Sequence, residues 1–196
     1  MMVKREVASW TRWLHIYLSM FSFATLLFFA VTGVTLNHTN WIEGQQKIEQ
    51  LTGELPLSWV QTNAARVDEL EVVEYFRNTH NIKSRLKDFL TDDAECTVSF
   101  KGPGYSADAF VDRATGSYEL TITKSGTVAI LNDLHKGRDT GTTWAWLIDI
   151  SAVLMIFVSL TGFLMIFFLA KKKLSGLLLT GAGAVIMVLL YFLFAR

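Results

Sequence analysis

Histidine is the residue type in this sequence with the clearest capacity for chemistry, because neutral imidazole is a common metal ligand and titrates near neutral pH. The chain has four histidines among its 196 residues. His15, His38 and His135 lie in or beside long apolar segments, whereas His80 lies in a polar stretch. Ionisable groups at membrane depth are costly to keep there, so the first three are candidates for function. His80 closes a predicted helix and is predicted to be a capping or surface residue.

A single cysteine and the lack of cofactor fingerprints narrow the chemistry further. Cys96 has no partner for an intramolecular disulfide and the sequence has no C-x-x-C motif, which argues against iron–sulfur and thiol redox sites. We expect Cys96 to be a buried strand residue. The sequence also has no G-x-G-x-x-G fingerprint for a dinucleotide, and no basic stripe outside the membrane flanks that would suit a nucleic acid.

The apolar residues around these histidines are gathered in blocks. The chain is 51% hydrophobic and only 18% charged, against roughly 25% charged in an ordinary soluble domain. The blocks cover residues 13–36, 143–169 and 174–195, and each is long enough to cross the roughly 30 Å hydrocarbon core of a bilayer. The first block is too long for a signal-peptide h-region and no A-x-A site follows it, so we predict a retained helix. The sequence therefore predicts a membrane protein with three transmembrane α-helices.

Positive charges indicate how these helices are threaded. Lys4, Arg5 and Arg12 precede the first block and the lysines at 171–173 follow the second, so the positive-inside rule places both groups in the cytoplasm. We predict a bacterial inner-membrane protein with a cytoplasmic N-terminus and a periplasmic C-terminus. The predicted segments are a cytoplasmic N-terminus (1–12), transmembrane helix 1 (13–38), a periplasmic domain (39–142), transmembrane helix 2 (143–169), a cytoplasmic turn (170–173) and transmembrane helix 3 (174–196).

The segment between helices 1 and 2 has the pattern of an α+β domain. Between residues 39 and 141 it carries 16 acidic and 11 basic residues, a net charge of about −5. Asp68 and Glu71 resemble a capping box for a helix that ends near His80. Residues recur at helical spacing along it, namely Val67, Leu70, Val73 and Phe76 or Arg77. Runs at 87–91, 96–101, 107–112 and 118–124 predict strands, the last two joined as a hairpin, and we expect the helix to pack on one face of this sheet.

Small residues and a repeated dipeptide mark the predicted membrane helices. On a straight helix 1, Ser19, Ser22 and Gly33 share a face with His15, which leaves room for another helix or a flat cofactor. A Thr-Gly pair recurs at matching positions in FFAVTGVTL and FVSLTGFLM. Close helix packing is the favoured interpretation of this pair, with a cofactor contact as the alternative. Helix 3 has a row of small residues that suggests packing on another helix or a second subunit, formed by Gly176, Thr180 and Ala184.

The three membrane histidines divide into two groups. On a straight helix 1, His38 lies about 35 Å along the axis from His15, so the two cannot bind one metal. His38 and His135 return to the same membrane surface because helices 1 and 2 are antiparallel neighbours. Two imidazoles that converge there are placed to be the axial ligands of a haem. The alternative is that interfacial histidines only bind lipid headgroups.

Asp149 is the one acidic residue inside a predicted span. It is placed to orient a ligand histidine through the ring N–H or to help pass protons. An aspartate hydrogen-bonded to a neighbouring helix near the interface is an equal alternative.

Several of these motifs resemble the PepSY-associated transmembrane protein family. WTRWLHIYLSMFSFATLLFFAVTGVTLN is similar to that family's first helix, which has an R-x-W-H-like start and a Thr-Gly end. LNDLHKGRDTG, followed by an aspartate and Leu-Thr-Gly in helix 2, is similar to its second signature. ADAFVDRATGSYELT resembles a PepSY-type strand–turn–strand. The likeness covers most of residues 8–170 and implies a PepSY-like fold for the periplasmic domain.

Family members include bacterial inner-membrane haem reductases that deliver electrons to periplasmic ferric iron or ferric siderophores. The resemblance implies that His15, His38 and His135 bind haem b, one or two haems per dimer. In size the chain is similar to short, VciB-type members associated with ferrous iron uptake, which implies that it supplies Fe(II) to a separate ferrous transporter. It lacks the extra helices of the larger reductases, so a homodimer that shares ligands is expected. The electron donor is expected to be a cytoplasmic protein, a quinol or a diffusible reductant.

A non-enzymatic function is the second hypothesis. The outer PepSY-like domain would then bind a peptide or partner protein, and the helices would serve only as an anchor in the membrane lipid. In that case the histidines at the membrane edges would be incidental.

Overall fold

The computed structural model of the protein describes residues 2–41, 45–61, 67–169 and 171–195. These residues form two compact units, Met1–Phe28 with Asp149–Arg196, and Phe29–Ile148. The helices are α1 (Met2–Phe21), α2 (Phe23–Leu36), α3 (Leu57–Val60), α4 (Glu69–His80), α5 (Thr127–Lys136), α6 (Thr142–Ile166) and α7 (Lys173–Phe194). The strands are β1 (Lys47–Glu54), β2 (Arg85–Thr91), β3 (Glu95–Gly102), β4 (Tyr105–Asp112) and β5 (Ser117–Lys124).

The second unit is built on a five-stranded antiparallel sheet with the order β1-β5-β4-β3-β2. Strands β2 to β5 lie within two residues of the predicted runs, and the predicted β4–β5 hairpin is present, with Ala109 opposite Leu120. β1 was not predicted because its two large apolar residues, Ile48 and Leu51, are three positions apart and give no period-two alternation.

Helix α4 covers one face of this sheet, as the sequence predicts. Val72, Val73 and Phe76 are buried in one apolar cluster with strand residues that include Val98, Phe100 and Leu120. Asp68 begins the helix, and its carboxylate accepts a hydrogen bond from the Glu71 amide at 3.4 Å. Cys96 is fully buried in β3, as expected.

The prediction that Leu70 belongs to the buried face of α4 was wrong. Its side chain is 69% exposed, whereas Val72 is fully buried. At about 100° per residue, Val72 lies about 200° round the helix from Leu70, so the two cannot both face the sheet. The wider apolar surface around Val72 and Phe76 decides the rotation of the helix.

Tyr118 links the sheet to the end of α4. Its hydroxyl lies 3.0 Å from Nε2 of His80 and 3.5 Å from the hydroxyl of Tyr75. Gly53 of β1 makes room for the ring, because a Cβ at that position would overlap the Tyr118 hydroxyl. His80 was predicted to be a capping or surface residue, but the structure places it partly buried, with its ring bonded to the sheet.

Helix α5 is an element that the sequence pattern did not reveal. The sequence pattern predicted no element between residue 124 and transmembrane helix 2, yet Thr127–Lys136 is helical and includes His135. The helix ends at Gly137, whose φ of 68° lies in the left-handed region and whose amide bonds the carbonyls of Asp133 and Leu134. The indole of Trp144 donates to the Leu134 carbonyl at 2.8 Å. Trp144 at the start of α6 thus also closes the end of α5.

The apolar helices agree with a membrane protein. α6 and α7, with 25 and 22 residues, are each long and apolar enough to cross a bilayer, and α1 with α2 would give a third span if the pair is counted as one. α7 has no buried residue, but Gly176 at its start lets Ile166 approach, since a Cβ there would lie 3.1 Å from Cγ2 of Ile166. Length and composition therefore support two to three membrane helices.

The segment that was predicted as one straight helix is bent at Ser22. α1 and α2 meet there at 61°. Ser22 is 1% exposed and its hydroxyl donates to the Leu18 carbonyl at 2.8 Å, while the Thr25 hydroxyl donates to the Ser22 carbonyl at 2.9 Å. Hydroxyl groups that bond the carbonyls of their own helix favour such bends. Two predictions assumed a straight helix: that Gly33 shares a face with His15, and that His38 lies about 35 Å from His15. The bend contradicts that assumption.

We predict that acid weakens the sheet domain through His80. Burial lowers the pKa of His80 below its ordinary value of 6.5, and the carboxylate of Glu49 only partly opposes this shift. The unfolded chain therefore binds the proton first, and stability should decline as the pH falls through about 6.5. Amide hydrogen exchange of α4 and β5 in the detergent-solubilised chain should accelerate between pH 7 and pH 5.

His80→Gln is the matched variant, because glutamine keeps a polar group near Tyr118 but does not titrate. We expect its exchange rates, corrected for the intrinsic effect of pH, to be flat over this range. An equally steep acid response in His80→Gln would assign the effect to other groups.

Candidate functional site

His15 in α1 packs against the C-terminal part of α6. Its Nδ1 lies 3.2 Å from the Val158 carbonyl oxygen and 3.0 Å from the hydroxyl oxygen of Thr161. The Thr161 hydroxyl is itself within 2.8 Å of the Phe157 carbonyl, to which it donates. Because a carbonyl oxygen can only accept, Nδ1 of His15 carries the proton and donates it to α6.

Gly162 allows the imidazole to come this close. A Cβ on Gly162 would lie 3.1 Å from Cε1 of His15, which is tighter than most carbon contacts in proteins. The Thr-Gly pair of α6 therefore works as a unit, in which Thr161 supplies a polar partner and Gly162 supplies space.

His135 makes the corresponding contact with α2. Its Nδ1 lies 2.5 Å from the hydroxyl oxygen of Thr32, a side chain that is 1% exposed. Phe29 meets the imidazole edge to face, with ring centroids 5.0 Å apart. A Cβ on Gly33 would lie 3.9 Å from Cε1 of His135, which is an ordinary contact distance.

A second hydrogen bond holds α5 against α2. One turn from His135, the side chain of the buried Asn132 accepts a hydrogen bond from the Thr35 hydroxyl at 2.6 Å. Thr32 and Thr35 are likewise one turn apart on α2. Two polar contacts in register therefore fix the rotation of α5, and with it the direction of the His135 ring.

The Thr-Gly repeat thus has a role that the sequence did not reveal. The favoured interpretation was close packing between helices, but within each unit the pair contacts a histidine: Thr161-Gly162 meets His15, and Thr32-Gly33 meets His135. His15 precedes Thr32-Gly33 in the sequence but contacts Thr161-Gly162, and His135 precedes Thr161-Gly162 but contacts Thr32-Gly33. A histidine before each of two matching Thr-Gly pairs is the signal that could have suggested this exchange.

His38 lies just beyond the end of α2. Its Nδ1 is 2.9 Å from the Val34 carbonyl oxygen one turn earlier, and its ring stacks on Trp41 with centroids 4.3 Å apart. The described contacts of His38 and of His135 do not include each other. The structure therefore brings His135 to α2 and leaves His38 on its own turn, and the pairing of the two on one iron stays a prediction.

One feature is shared by all three membrane histidines. In each, Nδ1 is bonded to a carbonyl or hydroxyl oxygen, and Nε2 makes no hydrogen bond with the residues that the structure describes. His80 has the reverse arrangement, with Nε2 bonded to Tyr118. Imidazole ligands in metal sites have one ring nitrogen on the metal and the other held by a protein acceptor. The three candidate residues share the arrangement with Nδ1 held and Nε2 open, whereas His80 has Nε2 held.

Asp149 does not take part in these contacts. It is exposed on α6 and forms no hydrogen bond with a histidine in the described chain. Thr161, Thr32 and backbone carbonyls occupy the Nδ1 positions for which Asp149 was a candidate. Across the described ranges, no group of three or more His, Cys, Asp or Glu side chains is assembled as a metal site.

Comparison with known proteins identifies the family. The family model for PepSY_TM-like proteins matches residues 9–196. The chain belongs to the PepSY_TM-like family. The match includes both Thr-Gly pairs and all four histidines, and it confirms the PepSY-associated transmembrane family that the motifs suggested. Neither a curated protein nor a solved structure matches this PepSY_TM-like chain.

We predict that the two glycines of the repeats respond differently to alanine. Gly33→Ala should preserve or raise stability, because the added methyl makes an ordinary contact and alanine favours helix by up to about 1 kcal/mol. Gly162→Ala crowds the His15 ring, and overpacking costs about 1–3 kcal/mol. Thermal unfolding in detergent should therefore rank Gly162→Ala clearly below Gly33→Ala.

The same pair of variants also tests the geometry of the rings. In 15N-histidine-labelled protein, Gly162→Ala should move the ring resonances of His15, and Gly33→Ala should leave those of His135 nearly unchanged. Equal behaviour of the two variants in both measurements would contradict the close approach of His15 to α6.

Proposed function

We propose that this PepSY_TM-like protein is a haem-binding electron-transfer protein of the bacterial inner membrane that reduces periplasmic Fe(III) to Fe(II). The observation that carries the proposal is the common arrangement of His15, His38 and His135, in which Nδ1 is held and Nε2 is left available. The proposal also takes the short, VciB-type members of the family as the model for this chain, with a ferrous iron transporter as the consumer of the product.

The donor set fits a haem iron. Neutral imidazole is a ligand of haem iron, and two imidazoles hold it in many electron-transfer sites. His15, His38 and His135 would be the ligands of haem b in this chain. When bound, haem supplies an iron that exchanges one electron at a time, which the side chains of the protein cannot do by themselves.

The threonines and backbone carbonyls hold the Nδ1 atoms of the proposed ligand histidines by hydrogen bonds. Val158 and Thr161 keep the proton of His15 on Nδ1, so the lone pair of the ring lies on Nε2. Thr32 is bonded to the same nitrogen of His135, and the Val34 carbonyl accepts from that of His38. A hydrogen bond from Nδ1 also makes the opposite nitrogen a stronger ligand. These partners take the role for which Asp149 was the sequence candidate.

Three candidate ligand histidines per chain favour haem sites shared between two subunits over sites built within one chain. Two irons with two imidazoles each need four histidines, and His80 is bonded to Tyr118 through the nitrogen that a ligand would need free. We therefore propose a homodimer, with one or two haems, in which partner subunits complete the ligand sets. Cyclic dimers are the commonest closed assemblies.

The direction of electron flow follows from the predicted topology. The N-terminus and the turn at 170–173 lie in the cytoplasm, and the sheet domain lies in the periplasm. Electrons would enter from a cytoplasmic protein, a quinol or a diffusible reductant, since the sequence has no dinucleotide fingerprint. Ferric iron or a ferric chelate would accept them at the outer side.

A spectrum of the purified protein tests the proposal most directly. The chain purified in detergent should show a Soret band and sharp α and β bands after reduction with dithionite. Addition of a ferric chelate should then reoxidise it. A protein that remains colourless when produced with ample haem would end the reductase proposal and support the membrane-anchored PepSY module instead.

Single histidine variants identify the ligands. His38→Ala or His135→Ala should lose a haem or convert it to a five-coordinate spectrum, with loss of ferric reduction. His15→Ala should affect a separate site, leave the spectrum of the outer haem intact, and block electron entry. His80→Gln is the control and should match the wild type in spectrum and activity. Wild-type spectra and activity in all three membrane variants would contradict the assignment.

We expect Thr161 to tune His15 as a ligand. Thr161→Val keeps the shape of the side chain but removes the hydroxyl acceptor, leaving only the Val158 carbonyl on Nδ1. The ring then donates less electron density, so the midpoint potential of the iron that it binds should rise. Thr161→Ser keeps the hydroxyl and should restore the wild-type potential.

The same variants can be examined without haem. In 15N-labelled apoprotein, the His15 ring resonances should shift in Thr161→Val and return toward wild type in Thr161→Ser. Unchanged resonances in Thr161→Val would show that the hydroxyl does not hold the ring, whatever the haem content of the protein.

A further inference from the structure

The sheet unit has an uneven distribution of charge. Its sequence is acidic overall, with 16 acidic and 11 basic residues between positions 39 and 141. Five of those basic side chains nevertheless line two adjoining cavities of about 620 and 460 Å³, which have Lys87, Lys101 and Asp139 in common. The five are Arg85, Lys87, Lys101, Lys136 and Arg138. Among the described residues, two carboxylates line these cavities with them, those of Asp133 and Asp139.

Most of this positive charge is not neutralised within the unit. Lys87 pairs with Asp139 at 3.2 Å. The Asp133 carboxylate accepts a hydrogen bond from the Gly104 amide at 2.9 Å, so it is committed to the sheet. Across the described chain, the other four cations have no carboxylate within salt-bridge distance. A cluster of unpaired cations around a cavity in an acidic unit favours an anionic ligand.

The ends of two apolar helices, α2 and α6, line the same cavities. Leu36, the last residue of α2, borders the larger one, and Thr142 and Ala145 from the first turn of α6 border the smaller one. Arg85 lies against the backbone where α6 begins, because a Cβ on Gly141 would lie 2.6 Å from its Nη1. The cations therefore surround the point at which a membrane-spanning helix starts.

We propose that these cavities bind the phosphate of an anionic phospholipid headgroup. Guanidinium and ammonium groups form charge-assisted hydrogen bonds with phosphate oxygens, and basic pockets beside membrane helices recognise anionic headgroups. A soluble anion would gain nothing from the apolar surface at Ala145, whereas a lipid can place its phosphate among the cations and its acyl chains along α6. The lipid steadies the loop between α5 and α6, in which Asp139 and Gly141 both have positive φ angles.

Lipid binding by the full chain tests this assignment, and it needs no haem. The probe is dioleoyl phosphatidylglycerol, titrated into the detergent-solubilised protein and counted by native mass spectrometry, with dioleoyl phosphatidylcholine as the zwitterionic comparison. The wild type should retain phosphatidylglycerol preferentially. The triple variant Arg85→Gln, Lys101→Gln and Arg138→Gln should bind it at least about tenfold more weakly.

A matched triple variant controls for total charge. Lys47→Gln, Lys83→Gln and Lys124→Gln remove the same charge from the same unit at residues that line neither cavity, and should leave phosphatidylglycerol binding unchanged. Equal weakening by both triple variants, or equal retention of phosphatidylcholine by the wild type, would overturn the proposal. Displacement of the lipid by equimolar citrate or inorganic phosphate would assign the cavities to a soluble anion instead. The result is independent of whether the protein binds haem.

Discussion

The hydrogen bonds to Nδ1 of the membrane histidines are the constraint on which the candidate site depends. An imidazole in or beside an apolar helix must satisfy its N–H group inside the protein, because lipid offers no partner. Threonine hydroxyls and helix carbonyls provide that partner for His15, His38 and His135. The carbonyl partners set the proton of His15 and His38 on Nδ1, and in all three histidines Nε2 is the nitrogen without a hydrogen bond in the described chain.

This requirement explains several features of the helices. Gly162 is needed where the ring of His15 approaches α6, and Asn132 with Thr35 holds α5 in the rotation that presents His135 to α2. Gly137 and Trp144 satisfy the carbonyls of Asp133 and Leu134, the two residues that precede that histidine in α5. The polar atoms around each candidate ligand are thus supplied by short-range helix chemistry, and no carboxylate is required.

The sequence predicted a strand or helix correctly where its apolar residues formed a recognisable run or period. Strands β4 and β5 alternate buried and exposed positions, β2 and β3 are short runs with apolar residues bounded by turn residues, and α4 combines a cap at Asp68 with an apolar face, so all of them were predicted. β1 and α5 were not, because the apolar residues of β1 give no period-two alternation and a ten-residue helix next to a turn has too few periods. Leu70 was misplaced because spacing gives a face but not its rotation against the sheet.

The sequence by itself determined the apolar helices and the antiparallel sheet domain and marked three histidines as candidates, because hydropathy and periodicity are properties of the chain alone. Only the tertiary structure decided what each histidine touches. The contact of each histidine with the Thr-Gly pair of the other segment, and the gathering of Arg85, Lys101 and Arg138 around the start of α6, join residues far apart in sequence. Such contacts depend on the packing and rotation of whole elements, which no local pattern of residues specifies.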